Sequence, residues 1–182
     1  MRHSSTRLRE GQGGFSILEM MFATVILLVG LVAIAQLVPA SIFLNQQNRT
    51  DSSALVFAQR QLDQFLDQPL SSSSFIDALG NTCQLGNPAV TNSVQGGTVT
   101  TYFNQTLIVF SSPPPPAAPT NGYGFTYQDP NDPGGTTYDV RWAVIVTGNS
   151  GTPIAKRFIL GVRQIGGSKY FHPITLDTMV AK

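Results

Sequence analysis

Gly13-Gly14-Phe15-Ser16-Ile17-Leu18-Glu19 leads into an apolar run from Phe15 to Val38 in which Glu19 is the only ionisable side chain. The run is about 24 residues, so as a helix it measures roughly 36 Å, enough to cross a ~30 Å hydrocarbon core. Arg2, Arg7 and Arg9 precede it. A basic head before an apolar span predicts a cytoplasmic N-terminus and an exported remainder.

The small pair Gly13-Gly14 stands before the apolar run, whereas a secretory signal peptide carries its small residues after it. Cleavage at Gly14 therefore requires a protease on the cytoplasmic side, and leaves the span on the product. An ionisable Glu19 near the start of that span is costly in apolar surroundings, so it calls for a partner or a function. Ala33-Ile34-Ala35 and Val38-Pro39-Ala40 are the competing sites for an ordinary signal peptidase, and neither accounts for Glu19 or for the position of Gly14.

Gly14 followed by Phe15-Ser16-Ile17-Leu18-Glu19 and Met20-Met21-Phe22-Ala23 resembles the precursor motif of type IV pilins and type II secretion pseudopilins. The resemblance implies that a prepilin peptidase cuts after Gly14 and N-methylates the new terminal Phe15. It also implies that Glu19, at the fifth position of the product, serves assembly by meeting the Phe15 amine of a neighbouring subunit. Partners implied in the same way are the peptidase, other pilin or pseudopilin subunits along the N-terminal helix, and the bacterial inner membrane.

The 182 residues suit one domain plus an anchor. The formal net charge of +1 falls close to neutral once the leader is removed, so no basic surface of the size nucleic acid requires is evident. Cys83 is the single cysteine, which excludes an intramolecular disulfide and reads as a loop or core residue. Many major pilins close a C-terminal loop with a disulfide, so the resemblance points to a minor subunit.

The expected organisation is a leader over 1–14, a transmembrane helix over 15–38, its periplasmic continuation over 39–68, and a soluble β-rich domain over 69–182. Pro39 inside the helix predicts a kink, and Gly30 a second weak point. Leu55, Ala58, Leu62, Phe65 and Leu66 recur at helical steps, with Arg60, Asp63 and Asp67 on the opposite side. Pro69 and the serines at 71–74 end the helix. Phe75–Leu79 reads as a short helical turn, 81–97 as loop, 98–110 as a strand, and 111–122, with Pro113-Pro114-Pro115-Pro116, as a stiff exposed connection.

Tyr138, Val140, Trp142, Val144 and Val146 alternate with Asp139, Arg141 and Ala143, the pattern of a half-buried strand. After a turn at 148–153, Lys156, Phe158, Leu160 and Val162 alternate with Arg157, Ile159, Gly161 and Arg163, which predicts an antiparallel hairpin. Trp142 is expected to face the helix near Leu62 and Phe65. The two segments also resemble, more loosely, the C-terminal half of PilV-like minor pilins. The fold class expected is α+β, a long N-terminal helix packed on a small antiparallel sheet.

An enzyme is the competing class. His3, His172 and Cys83 do not make a usual zinc set, and the sequence has no nucleophile elbow and no phosphate-binding glycine loop. No cofactor and no catalytic residue are expected. Asp129, Asn131 and Asp132 are the candidate oxygen ligands for a calcium ion, against the plain reading of an Asp/Asn/Pro turn. The function expected is structural, as a minor pilin incorporated into or priming a type IV pilus. A minor pseudopilin of type II secretion is the alternative within that class, and a signal-anchored periplasmic binding domain the alternative outside it.

Overall fold

The computed structural model describes residues 14–111, 113–114, 121–130, 132, 134–149, 151–166 and 173–181. The fold is α+β. One 50-residue helix, α1 (Ile17–Leu66), is followed by nine strands. They are β1 (Ser74–Ile76), β2 (Thr82–Gln84), β3 (Val94–Gly96), β4 (Val99–Tyr102), β5 (Gln105–Ile108), β6 (Gly124–Gln128), β7 (Thr137–Asn149), β8 (Thr152–Gln164) and β9 (Ile174–Ala181). The chain divides into two compact units, Met1–Asn45 and Gln46–Lys182, and α1 contributes to both.

In the first unit the described part of α1 buries nothing; its apolar side chains from Ile17 to Leu44 are exposed all round. The helix continues through Pro39.

The second unit is built on the β7–β8 hairpin, which the alternating pattern predicts. The two 13-residue strands pair antiparallel from Tyr138↔Gln164 to Asn149↔Thr152. The register shifts between Thr147 and Gly148, where Gly148 has a φ of 145° and an added Cβ would stand 2.5 Å from the Thr152 carbonyl oxygen. Only glycine fits such a bulge. Strand β9 extends the sheet beyond β8, and β3 and β6 pair in tandem with the other edge of β7.

One face of this sheet receives α1. Ala54, Phe57, Ala58, Gln61, Leu62 and Phe65 form the buried stripe, at the three- and four-residue steps of one helix side. Trp142, opposite Leu160 in the register, is fully buried with its ring centroid 5.1 Å from that of Phe65, so the expected Trp142–helix contact is present. Its indole Nε1 donates to the Gln84 carbonyl at 2.8 Å. Tyr138 Oη donates to the Thr50 carbonyl at 3.3 Å. Leu55 departs from the expected stripe: it is exposed, and Phe57 and Gln61 take its place. Gln61 is tolerated inside because its Nε2 donates to Asp77 Oδ2 at 3.4 Å.

The other face is also covered, so β7 is not the half-buried strand its pattern suggests. Ile108, Ala143 and Ile159 form a second core, joined by Val99, Phe110 and Ile145. Asp139 and Arg141 are buried with them, and Arg141 Nε lies 2.8 Å from Asp139 Oδ1. Arg163 Nη2 reaches Asp139 Oδ2 at 3.2 Å. Both guanidinium groups lie over the Phe110 ring, at 5.4 and 4.8 Å. Arg141 also donates to the Pro113 carbonyl at 2.5 Å, and Arg163 to that of Phe110 at 2.9 Å. The charges that make the strand look amphipathic are satisfied by one another and by this strap of backbone. Part of the proline-rich connection is therefore tied to the sheet; Pro115 and Pro116 lie outside the described residues.

Other short elements differ from expectation. Phe75–Leu79 is not a helical turn: β1 ends at Ile76, and Asp77 Oδ1 accepts the Leu79 and Asn81 amides, an Asx turn that replaces helix. Strands β2 and β3 lie in the stretch read as loop, and 98–110 is not one strand but the β4–β5 hairpin. That hairpin turns at Phe103-Asn104, whose φ values are 42° and 64°. Both are left-handed, as in a type I′ turn, and for a bulky side chain such as Phe103 this costs about 1–2 kcal/mol.

Candidate functional site: the start of the N-terminal helix

Gly14 and Phe15 precede α1 and lie outside its hydrogen-bonded turns. Ser16 is the N-cap. Its Oγ accepts the Glu19 amide at 3.1 Å, and its carbonyl accepts the Met20 amide at 3.1 Å. A serine cap ends the helix sharply on its N-terminal side, so the Gly14–Phe15 bond stands in non-helical chain. Phe15 is 84 % exposed.

The fold makes no demand for glycine at position 14. Its φ is outside the left-handed region, and an added Cβ would meet no atom within 4 Å. The same space surrounds Gly30, although glycine costs about 1 kcal/mol relative to alanine in a helix interior. Neither residue is explained by packing among the described residues of the chain.

Glu19 lies in the first turn of α1 and is exposed, with its carboxylate where the helix dipole favours negative charge. At about 100° per residue, Ala23, Gly30 and Ala33 fall within roughly 40° of Glu19 around the axis. Ile26 and Leu37 fall on the same face, so three small residues are interspersed there with bulky apolar ones. Small residues let a second helix backbone approach closely. The helix is long and apolar enough to cross a membrane. The pattern Glu19, Ala23, Gly30, Ala33 was legible in the sequence by helical steps, and was not picked out there.

Of the calcium candidates, Asp129 and Asp132 lie among the described residues, and the Asp132 carboxylate is engaged in a turn. Asp132 Oδ1 accepts the Gly134 amide at 3.1 Å, and Oδ2 accepts the Thr136 amide at 3.1 Å and the Thr136 hydroxyl. These bonds, the Thr136 hydroxyl foremost, hold the Asp132 carboxyl below its usual range. The carboxylate is the staple of a turn. Asn131 lies outside the described residues, as do His3, His172 and Gly13. Among the described residues no group of three His, Cys, Asp or Glu side chains is placed to hold a metal ion.

Cys83 is fully buried in β2, beside Gln61 Nε2 at 3.7 Å and Asp77 Oδ2 at 3.8 Å. Burial, then the Asp77 charge, pushes its thiol up to about 12. It is a core residue with little thiolate at neutral pH. A surface groove along the second unit's part of α1 is lined by Val56, Arg60, Asp63, Asp67 and Ala78, and contains neither histidine nor cysteine.

No family model matches the chain, and no curated protein or solved structure matches it.

Proposed function

We propose that the chain is a structural subunit of the pilin type, anchored by α1 in the bacterial inner membrane with its C-terminal unit outside the cytoplasm. A prepilin-type peptidase removes residues 1–14 and methylates Phe15. The processed subunit then enters or primes a type IV pilus as a minor component, or a type II secretion pseudopilus. Its role is assembly through helix contacts rather than catalysis.

One observation carries this reading: an exposed Glu19 is the only ionisable side chain between Phe15 and Asn48, just inside a capped helix start, on the face that also carries Ala23, Gly30 and Ala33. A single-pass anchor with no helix partner has no use for a carboxylate at that depth, which the hydrocarbon penalises by a few kcal/mol. A partner subunit that brings an amine to it does. Gly14 supports the same reading, because the fold leaves its glycine unexplained whereas a narrow protease subsite explains it.

The test is co-expression with a prepilin peptidase, followed by mass spectrometry of the membrane fraction. The expected product begins at Phe15 and carries a methyl group. Gly14→Val, which the fold tolerates, is expected to leave the precursor uncut. Cleavage after Ala35 or Ala40 instead would overturn the pilin reading in favour of an ordinary signal peptide, and an uncut span would favour a signal-anchored periplasmic domain.

A further inference from the structure

The β4–β5 hairpin ends in two exposed aromatic rings. Tyr102 is 64 % exposed and Phe103 84 %, the most exposed large apolar side chain among the described residues of the second unit. The rings stand edge to face, with centroids 4.5 Å apart. Phe103 holds this position in a left-handed conformation that Asn or Gly would adopt with less strain. Strained residues with exposed apolar side chains are a poor choice for stability, and such outliers concentrate at functional sites.

The chemistry around the rings narrows what they meet. From Val94 to Phe110 the chain has no ionisable side chain except the Tyr102 phenol. Thr100, Thr101, Asn104 and Gln105 are exposed at the tip, and among the described residues the side-chain amides of Asn104 and Gln105 make no hydrogen bond. Among the described residues, the cation bonded to the hairpin is Arg157, which donates to Thr106 Oγ1 at 3.1 Å and is paired with Asp177 at 2.5 Å.

An anionic ligand or an anionic lipid surface calls for free basic side chains, and the hairpin has none. A stable protein interface takes about 800 Å² per partner, whereas two aromatic side chains supply roughly 300–500 Å². A small, uncharged aromatic surface, with an exposed ring face and flanking amides and hydroxyls, matches a sugar. The electropositive C–H face of a pyranose stacks on the electron-rich ring face, and its hydroxyls pair with amides.

We propose that the β4–β5 tip is a binding site for a neutral carbohydrate, with Tyr102 and Phe103 stacking on pyranose rings and Asn104 and Gln105 bonding their hydroxyls. The site does not depend on the pilin reading, and a failure of cleavage after Gly14 leaves it untouched.

The test uses the full chain in a zwitterionic detergent that carries no sugar, titrated calorimetrically with cellohexaose, chitohexaose, mannohexaose and maltohexaose. Heparin and phosphatidylglycerol vesicles serve as anionic comparators. The expected result is saturable binding of at least one neutral hexasaccharide. Phe103→Gly should weaken it more than about ten-fold while the melting temperature stays level or rises, since glycine relieves the turn. Tyr102→Ser should weaken binding in the same sense. Binding to none of the four, binding that survives Phe103→Gly, or binding confined to heparin or the vesicles would each overturn the proposal.

Discussion

Trp142→Ala is the most informative single perturbation of the second unit. The side chain is fully buried and packs against Phe65, Phe125 and Tyr123 at centroid distances of 5.1, 5.8 and 6.3 Å. Truncating a buried Trp costs about 3–5 kcal/mol. The Gln84 carbonyl loses its 2.8 Å donor as well, for about 1 kcal/mol more. For a unit of this size each kcal/mol is worth about 3–5 °C, so the melting temperature should fall on the order of 12–30 °C. Among the described residues every buried apolar side chain lies at or beyond Ala54, so the chain from Gln46 onward is the material to melt. Circular dichroism is the assay, because Trp142 is the only tryptophan and its removal abolishes that fluorescence. Trp142→Phe keeps the ring and loses the donor, and should drop by only about 3–8 °C; it also guards against an alanine variant that fails to fold. A melting temperature unchanged in both variants would refute the packing of this face against α1.

Glu19→Ala should leave membrane insertion and cleavage after Gly14 intact while lowering the ratio of subunit in sheared filaments to subunit in membranes; an equal ratio would end the docking role. Gly161→Ala places a Cβ 2.7 Å from Ile108 Cβ and 3.0 Å from Phe110 Cζ. It should destabilise by about 1–3 kcal/mol, which denaturant midpoints measure; an unchanged midpoint would show that β5 does not press on Gly161. Lys156 is buried, with its Nζ donating to the Ser72 carbonyl at 2.6 Å, and burial lowers its amine from 10.5 to about 8. Between those values the unfolded chain binds more protons, so this group makes stability rise with pH above about 8. Cys83 and Tyr138, both raised to about 12 by burial first, act oppositely above pH 9 and 10, their stabilisation being lost as pH rises toward 12. The Lys156 slope is therefore read between pH 8 and 9, and Lys156→Met should remove it; the same slope in the variant would show that the lysine is not its source.

The β7–β8 hairpin was readable because alternation over 13 residues is a long signal, and it placed Trp142 on the helix side. What alternation conceals is the second face. Asp139, Arg141 and Arg163 look like solvent contacts because of their charge, yet they are covered by Phe110 and Pro113, which approach from far along the chain. Lys156 is on the helix-facing side, opposite Val146, for a similar reason: a distant carbonyl satisfies it. Three-residue strands such as β1, β2 and β3 are too short to carry a period. Strands β6 and β9 owe their state to the edges they pair with. Leu55 lies off the buried stripe because the helix buries Gln61 instead, through a hydrogen bond that no hydropathy pattern encodes. At the helix start, Gly14, Phe15 and Glu19 were legible as a motif. The Ser16 cap is local enough to read from the same residues, and the placing of Ala23, Gly30 and Ala33 near Glu19 needed only helical geometry.

The contact between Tyr138 and Thr50 joins residues 88 positions apart. A chain made from its N-terminus at about 5–20 residues per second produces the helix stripe roughly 4–18 s before the strand that shelters it. Phe57, Leu62 and Phe65 spend that interval without β7 and β8, whereas the β7–β8 hairpin closes in microseconds once its turn exists. The nascent helix is thus the vulnerable species in biogenesis. A holding factor that recognises short amphipathic helices would act on residues 54–65 and be displaced when the hairpin docks.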